Sequence, residues 1–267
     1  MVSVSPLVSQ TVIGTRVDAT SYEDACDRIL NWARARISCY VIAANVHVLT
    51  TARWEAEYRD VLHNAKLVTP DGMPLVWALR LLGFPHQQRV YGPDLMLELC
   101  DRLSTASDLS VYLYGGTPAT LQRLQSNLLQ KYPDLAIAGS YSPPFRQLSP
   151  AEEQADIERI HQTGAQIVLV ALGCPKQEYW MARQQGTLQA VAIGVGAAFA
   201  FHSGTVRQAP RWMMRWGLEW LFRLWVEPRR LWKRYAINNP AFVALFVWQY
   251  VRYRLNGHPR SQGNIGG

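Results

Sequence analysis

Residues 110–131 read SVYLYGGTPATLQRLQSNLLQK, which is an apolar run, a Gly-Gly-Thr-Pro turn and an amphipathic stretch in immediate succession. The β-branched and aromatic residues from Ser110 to Tyr114 predict a strand, and Thr117 followed by Pro118 marks the start of a helix running to Lys131. A further strand is expected from Leu135 to Gly139. Downstream the pattern repeats, with a helix from Pro150 to Gln162, a strand from Ile167 to Leu172, a helix from Lys176 to Gln184 and a strand from Ala190 to Ile193.

Upstream the same alternation is expected, with a helix from Ser21 to Arg36, a strand from Tyr40 to Ala43 leading to Asn45, and a helix through Val48 to Asn64. A short apolar stretch at Leu67 and Val68 breaks at Thr69-Pro70-Asp71-Gly72. Leu75 to Leu82 then reads as helix, His86 to Tyr91 as loop and Asp94 to Leu103 as helix. Alternation of this kind predicts an α/β fold, a Rossmann-like and mostly parallel sheet flanked by helices.

After Pro210 the character changes. Trp212, Trp216, Trp220, Trp225 and Trp232 are interleaved with cations up to Tyr235, which reads as a helical, basic and aromatic C-terminal appendage. The expected division is a catalytic and nucleotide-sugar-binding body over residues 1–205 and an appendage over residues 206–267. Pro240 to Trp248 is apolar but shorter than the roughly 18–20 residues that a spanning helix needs, so it is expected to lie on a bilayer.

The formal charge of +7 is concentrated in that appendage. Between Thr205 and Arg260 eleven cations stand against Glu219 and Glu227, a local charge of +9, so the rest of the chain carries −2. A basic tail on a near-neutral body suits a phosphate-bearing surface, lipid or nucleic acid. Trp212, Trp216 and Trp220 recur every four residues, as on one helical face, beside Arg211, Arg215 and Arg223. Aromatics next to arginines suit an interfacial helix, and nucleic-acid stacking would use the same residue types, although no RNA-binding signature occurs.

Cys26, Cys39, Cys100 and Cys174 form no CxxC pair and sit in apolar contexts, as buried thiols in a reducing cytosol do. Met1 to Gln10 is polar and carries no secretory signal. The 49% hydrophobic content is enough for a substantial core, and the many aromatics leave a homo-oligomer open as one way to cover apolar surface.

Three strand-to-helix junctions carry candidate chemistry. Gly115-Gly116-Thr117-Pro118 lets the backbone approach a ligand while a helix N-terminus offers N–H groups to an anion, although a plain tight turn explains the stretch equally well. Gly173-Cys174-Pro175-Lys176-Gln177-Glu178 opens another helix beyond a strand, where ligands of open α/β sheets bind. Lys176 suits a diphosphate, and Gln177 with Glu178 suits a base, ribose or sugar hydroxyl. A solvated first helical turn is the equal alternative. Gly194-Val195-Gly196 lacks the third glycine and the acidic partner of a dinucleotide fingerprint, so no NAD site and no cofactor is expected. Asp71 reads as a turn residue or as a base projecting into a cleft. No Asp-x-Asp pair that would hold a metal occurs.

Taken in order, Ala44-Asn45, Pro70-Asp71-Gly72, Arg89-Val90-Tyr91-Gly92-Pro93-Asp94, Gly115-Gly116-Thr117-Pro118, Gly173 to Glu178, Gly194-Val195-Gly196, Arg207-Gln208-Ala209-Pro210 and Leu218 to Leu224 resemble the WecG/TagA/CpsF family of glycosyltransferases, glycosyltransferase family 26, which includes the Gum-type exopolysaccharide enzymes. The resemblance runs from about Tyr40 to Tyr235. It implies an inverting, metal-independent transfer from a UDP-sugar to a saccharide on a polyprenyl diphosphate, at the cytoplasmic face of the plasma membrane.

It also implies roles. Asp71 matches the catalytic base, Asn45, Arg89 and Gln177 match donor-pocket residues, and Arg223, Arg230 and Lys233 match basic positions that hold the acceptor at the membrane. Ala43 stands where members often have Thr and Ala200 where many have Asp, so the donor sugar does not carry over. The same two departures support a different class of reading, a non-catalytic nucleotide-sugar-binding assembly factor.

Overall fold

The computed structural model describes residues 6–106 and 108–256; the first five residues of the N-terminal stretch and Arg260 of the basic tail lie outside the described residues. The chain opens with an antiparallel hairpin, Val8–Val12 (β1) and Thr15–Ala19 (β2), turned at Ile13 and Gly14, both with positive φ. Helix Tyr22–Arg34 (α1) starts at Ser21, whose hydroxyl accepts from the Asp24 N–H. Strand Cys39–Ala44 (β3) is followed by helices Val46–Trp54 (α2) and Ala56–Asn64 (α3), strand Leu67–Pro70 (β4), and helices Met73–Leu81 (α4) and Gly92–Thr105 (α5).

The central unit is strand Val111–Gly115 (β5) with helix Pro118–Lys131 (α6), then strand Ile137–Tyr141 (β6), helix Pro150–Gln162 (α7), strand Ile167–Ala171 (β7), helix Lys176–Arg183 (α8), strand Val191–Gly194 (β8) and helix Ala198–His202 (α9). Helices Arg211–Arg215 (α10), Glu219–Val226 (α11) and Pro228–Leu255 (α12) close the chain.

Six strands form one sheet in the order β4-β3-β8-β7-β5-β6, with every pairing parallel. A parallel sheet covered on both faces needs apolar residues on each side of every strand. The period of two sorts them. Tyr40, Ile42, Val168 and Val170 face a core shared with α2, α3, α4 and α8, while Cys39, Val41, Ile167 and Leu169 face one shared with α1, α5, α6 and α9. Phe242 of α12 is part of the first core, and Gln249 of α12 clamps the hairpin by accepting from Ile13 N at 2.7 Å and donating to the Thr11 carbonyl at 2.6 Å.

The expected α/β sheet is present, and three local expectations are corrected. The helix through Val48 to Asn64 is two helices, because Glu55 takes extended backbone between them. The hairpin β1–β2 has no counterpart in the sequence reading. Trp212, Trp216 and Trp220 do not share one helix, because Gly217 at φ +69 separates α10 from α11. Pro240, in contrast, sits inside α12 without ending it. All six tryptophans from Trp212 to Trp248 are exposed, so none of them belongs to the core. No helix among the described residues is long and apolar enough to cross a membrane.

Candidate active site

Because all six strands point the same way, every strand-to-helix junction named above falls on one edge of the sheet. Asp71 follows β4, Asn45 follows β3, Gly194-Val195-Gly196 follows β8, Gly173 to Glu178 follows β7, and Gly115-Gly116 follows β5. At a strand spacing of about 4.8 Å, Asp71 is three strands, roughly 14 Å, from the β7 junction and four, roughly 19 Å, from the β5 junction. That separation suits an extended ligand laid along the edge.

At the β4 end a cavity of about 470 Å³ is lined by Asn45, His47, Asp71, Arg89, Glu219 and Arg223 together with side chains of α4 and α12. Asp71 Oδ1 accepts from Gly92 N at 2.7 Å, and no protein group among the described residues donates to Oδ2. A Cβ at Gly92 would meet the Ala43 Cβ at 3.1 Å, so a larger residue there would push this donor off the carboxylate. Burial raises the Asp71 carboxyl to about 6, with Glu219 adding to the rise, while Arg89, the Gly92 N–H and Arg223 oppose it.

Arg89 is fixed on three sides. Its Nε donates to the Asp71 carbonyl, its Nη2 lies 2.6 Å from Glu219 Oε2, and its guanidinium covers the Tyr91 ring at 4.0 Å. Tyr91 Oη donates to the other Glu219 oxygen at 2.9 Å. Both Glu219 oxygens are therefore engaged by the body. Asn45 Oδ1 accepts from His47 N and Val48 N, capping α2, and the same residue lines the cavity. His47 is held neutral, its pKa lowered to about 4 by burial and by Arg234.

Further along the edge, Gly115 at φ +118 and Gly116 at φ +71 let β5 turn into α6, whose first turn is capped by the Thr117 hydroxyl. A Cβ on Gly115 would stand 2.5 Å from the Ala171 carbonyl oxygen, so only glycine fits. Gln177 and Glu178 are buried. Gln177 Nε2 donates to Glu178 Oε1 at 2.8 Å, and Gln177 Oε1 and Glu178 Oε2 have no hydrogen-bond partner among the described residues. Burial pushes the Glu178 carboxyl up. The solvated first turn is thus not what forms here, although Lys176 is exposed. Gln177 lies against the Gly194 and Gly196 backbone, and Val195 O approaches Gly92, so packed residues join the two halves of the edge.

The structure separates the expected cations of the tail. Arg223 lines the cavity and makes no ion pair among the described residues. Arg230 is exposed and paired with Glu227 at 2.7 Å, and Lys233 is exposed over the Trp232 ring. Neither of these lines the cavity. Gly115, Gly116, Lys176, Gln177 and Glu178 do not line it either. In their place the cavity contains His47, Glu219 and Arg234, which the sequence did not single out for roles. Among the described residues no group of three or more His, Cys, Asp or Glu is spaced to hold a metal ion.

The profile of the glycosyl transferase WecG/TagA/CpsF family matches residues 10–256. An N-acetylglucosaminyldiphosphoundecaprenol N-acetyl-beta-D-mannosaminyltransferase of Bacillus spizizenii is 33% identical over 206 residues, covering 76% of this chain and 77% of the relative. A protein of the same description from Bacillus subtilis is 31% identical over 244 residues, covering 91% of each chain.

Proposed function

The chain belongs to the glycosyl transferase WecG/TagA/CpsF family, and from that premise we propose that it transfers a sugar, with inversion and without a resident metal, from a UDP-sugar to a saccharide carried on a polyprenyl diphosphate. The observation that carries the reading is Asp71, a buried carboxylate with one oxygen fixed by the Gly92 N–H and the other left for the cavity.

In this reading Asp71 Oδ2 takes the proton of the acceptor hydroxyl as that oxygen bonds to the anomeric carbon from the face opposite the nucleotide. The bond from the anomeric carbon to the β-phosphate oxygen breaks, and its electron pair leaves with UDP. A carboxyl raised to about 6 is ionised at neutral pH yet more basic than an ordinary aspartate, which is the compromise a general base needs. Lys176 at the head of α8 and the N–H groups that open α6 stand three and four strands along the edge from Asp71, roughly 14 and 19 Å, so they would hold the nucleotide end of the extended donor. Arg89 keeps the Asp71 backbone in place, Gln177 and Glu178 present buried polar atoms to the donor, and Arg223, with Arg230 and Lys233 further out, faces the acceptor's diphosphate.

The exposed tryptophans and cations of the tail would seat the protein peripherally on the cytoplasmic face of an anionic membrane, where such acceptors reside, and the product would serve cell-surface polysaccharide assembly. The test is UDP release from a panel of UDP-sugars with a polyprenyl-diphosphate saccharide. Acceptor-dependent release that Asp71→Asn abolishes is expected. Normal turnover by that variant removes Asp71 as the base, and binding of UDP-sugar without any release would favour the non-catalytic assembly factor to which Ala43 and Ala200 point.

A further inference from the structure

The cavity that holds Asp71 does not end at polar groups. It is also lined by Trp77 and Leu81 of α4 and, about two to four turns along α12 from Arg234, by Phe242, Val243, Phe246 and Val247, which together form an apolar trough. Trp77, Leu81, Val243 and Val247 are exposed along it. Phe242 stacks on Phe246 at 6.1 Å and lies buried beneath. The Trp77 ring is wedged against Gly217, where a Cβ would come within 2.7 Å of it, so its place beside the trough is fixed.

Two cations besides Arg89 line the same cavity. Glu219 is taken up by Arg89 and Tyr91, and among the described residues neither Arg223 nor Arg234 forms an ion pair with it or with Asp71, although the Arg223 charge acts on Asp71. Arg234 is half-buried, its Nε is buried without a hydrogen-bond partner, and it makes no ion pair among the described residues. Burial, with the neighbouring Arg223 and Arg230, lowers its pKa, a cost that an anion beside it would offset.

We propose that this trough holds the first isoprene units of the acceptor's polyprenyl chain, with Arg223 and Arg234 as a cationic neck on the diphosphate that joins chain to saccharide. The proposal rests on the glycosyl-transfer reading above. One cavity brings together a base, a pair of cations without an ion pair among the described residues, and an apolar trough, the three chemistries that the hydroxyl, diphosphate and hydrocarbon of such an acceptor require. A free nucleotide could stack its base on Trp77 but would leave Leu81, Val243 and Val247 without an apolar partner. An extended peptide would need backbone partners that side chains of two helices do not supply.

The experiment uses the full chain without detergent and farnesyl diphosphate bearing a terminal photoreactive group, a three-isoprene probe without a sugar, with labelled peptides mapped by mass spectrometry. Labelling is expected on α4 around Trp77 and Leu81 and on α12 between Phe242 and Val247. Unlabelled farnesyl diphosphate should compete and dioctanoyl phosphatidate should not. Val243→Glu, at an exposed position that leaves the core untouched, should cut labelling about tenfold, as expected from replacing apolar contact by a charge. Arg234→Gln should raise the probe concentration for half-labelling about tenfold, with partial recovery in Arg234→Lys.

Labelling elsewhere, undiminished labelling of Val243→Glu, or equal competition by phosphatidate overturns the proposal, the last by making the trough a general lipid groove. Because the probe carries no saccharide, its capture does not depend on transfer. Absence of UDP release with normal trough labelling would strike the transfer reading alone, and release with labelling elsewhere would strike the trough alone.

Discussion

Arg89 Nη2 lies 2.6 Å from Glu219 Oε2, so the loop that braces Asp71 and the first turn of α11 are joined by an ion pair that is largely screened from water. Glu219 is thereby the point at which the tail reaches the residues around Asp71, since its other oxygen accepts from Tyr91.

Glu219→Gln removes a negative charge that raises the Asp71 pKa, and it frees the Arg89 charge to act on Asp71 alone. Both changes lower that pKa. The acid limb of the kcat/KM profile is expected near pH 6 in the parent chain and below it in the variant, with about tenfold less activity on the plateau because the base is weaker. Tyr91→Phe removes the 2.9 Å hydrogen bond but no charge, so its acid limb should stay in place. Coincident profiles for Glu219→Gln and the parent would detach the tail from the base.

Asp71→Asn should separate stability from turnover. Folding raises this carboxyl from 3.8 to about 6, so the native state retains a proton that the unfolded chain has released, and stability falls as pH rises from about 4 to about 6. The shift corresponds to about 3 kcal/mol at neutral pH, and the neutral amide avoids it. Thermal melts should show the variant more stable than the parent at pH 7.5 and level with it below pH 4, with turnover down by a hundredfold or more. A variant less stable at pH 7.5 would mean that the ionised carboxylate is not costly in this site.

Gly115 and Gly173 both have positive φ, at +118 and +80, but their surroundings differ. Nothing lies within 4 Å of a Cβ at Gly173, whereas at Gly115 the Ala171 carbonyl, which accepts from Gly116 N at 3.2 Å, would be struck. Gly173→Ala should cost about 1 kcal/mol, and Gly115→Ala clearly more than the roughly 1–3 kcal/mol of backbone strain alone. Binding of UDP, followed calorimetrically, should weaken most in Gly115→Ala. Equal losses in the two variants would show that the β5–β7 junction yields without consequence.

The sheet was legible in the sequence because a doubly covered parallel strand such as Val111–Gly115 is an unbroken apolar run, and because Ser21, Thr117 and Ser149 announce their helices by capping. The hairpin was not, since Ser9, Gln10 and Thr11 look like loop, and Gln249, more than 230 residues on, supplies the partners of Ile13 N and the Thr11 carbonyl. At the site, Asp71, Asn45, Arg89 and Arg223 could be named from motifs, and they converge on one cavity. Arg234 could not, because an arginine in a basic run shows nothing local to distinguish it from Arg230. Only the fold of α12 turns one toward the cavity and leaves the other on Glu227.

The same distinction sets which cations of the tail can serve a membrane. Arg211 is paired with Asp94 at 2.6 Å and Arg230 with Glu227 at 2.7 Å, whereas Arg215 and Arg229 are exposed with no ion pair among the described residues. Near an anionic surface each unpaired cation contributes about 1 kcal/mol. Arg215→Ala with Arg229→Ala should therefore weaken recovery on phosphatidylglycerol vesicles by about tenfold to thirtyfold, and the double variant at Arg211 and Arg230 by much less, because those cations first have to leave a carboxylate. Trp225, 79% exposed at the C-terminal turn of α11, adds an apolar contribution, so Trp225→Ala should lower binding at high salt, where the charges are screened and the rings are not. Flotation at 50 mM and 500 mM salt, concentrations chosen on the order of a long and a short Debye length, separates the two contributions. If the paired and unpaired arginine variants float alike, the cations act inside the protein and the tail is not a membrane-docking surface.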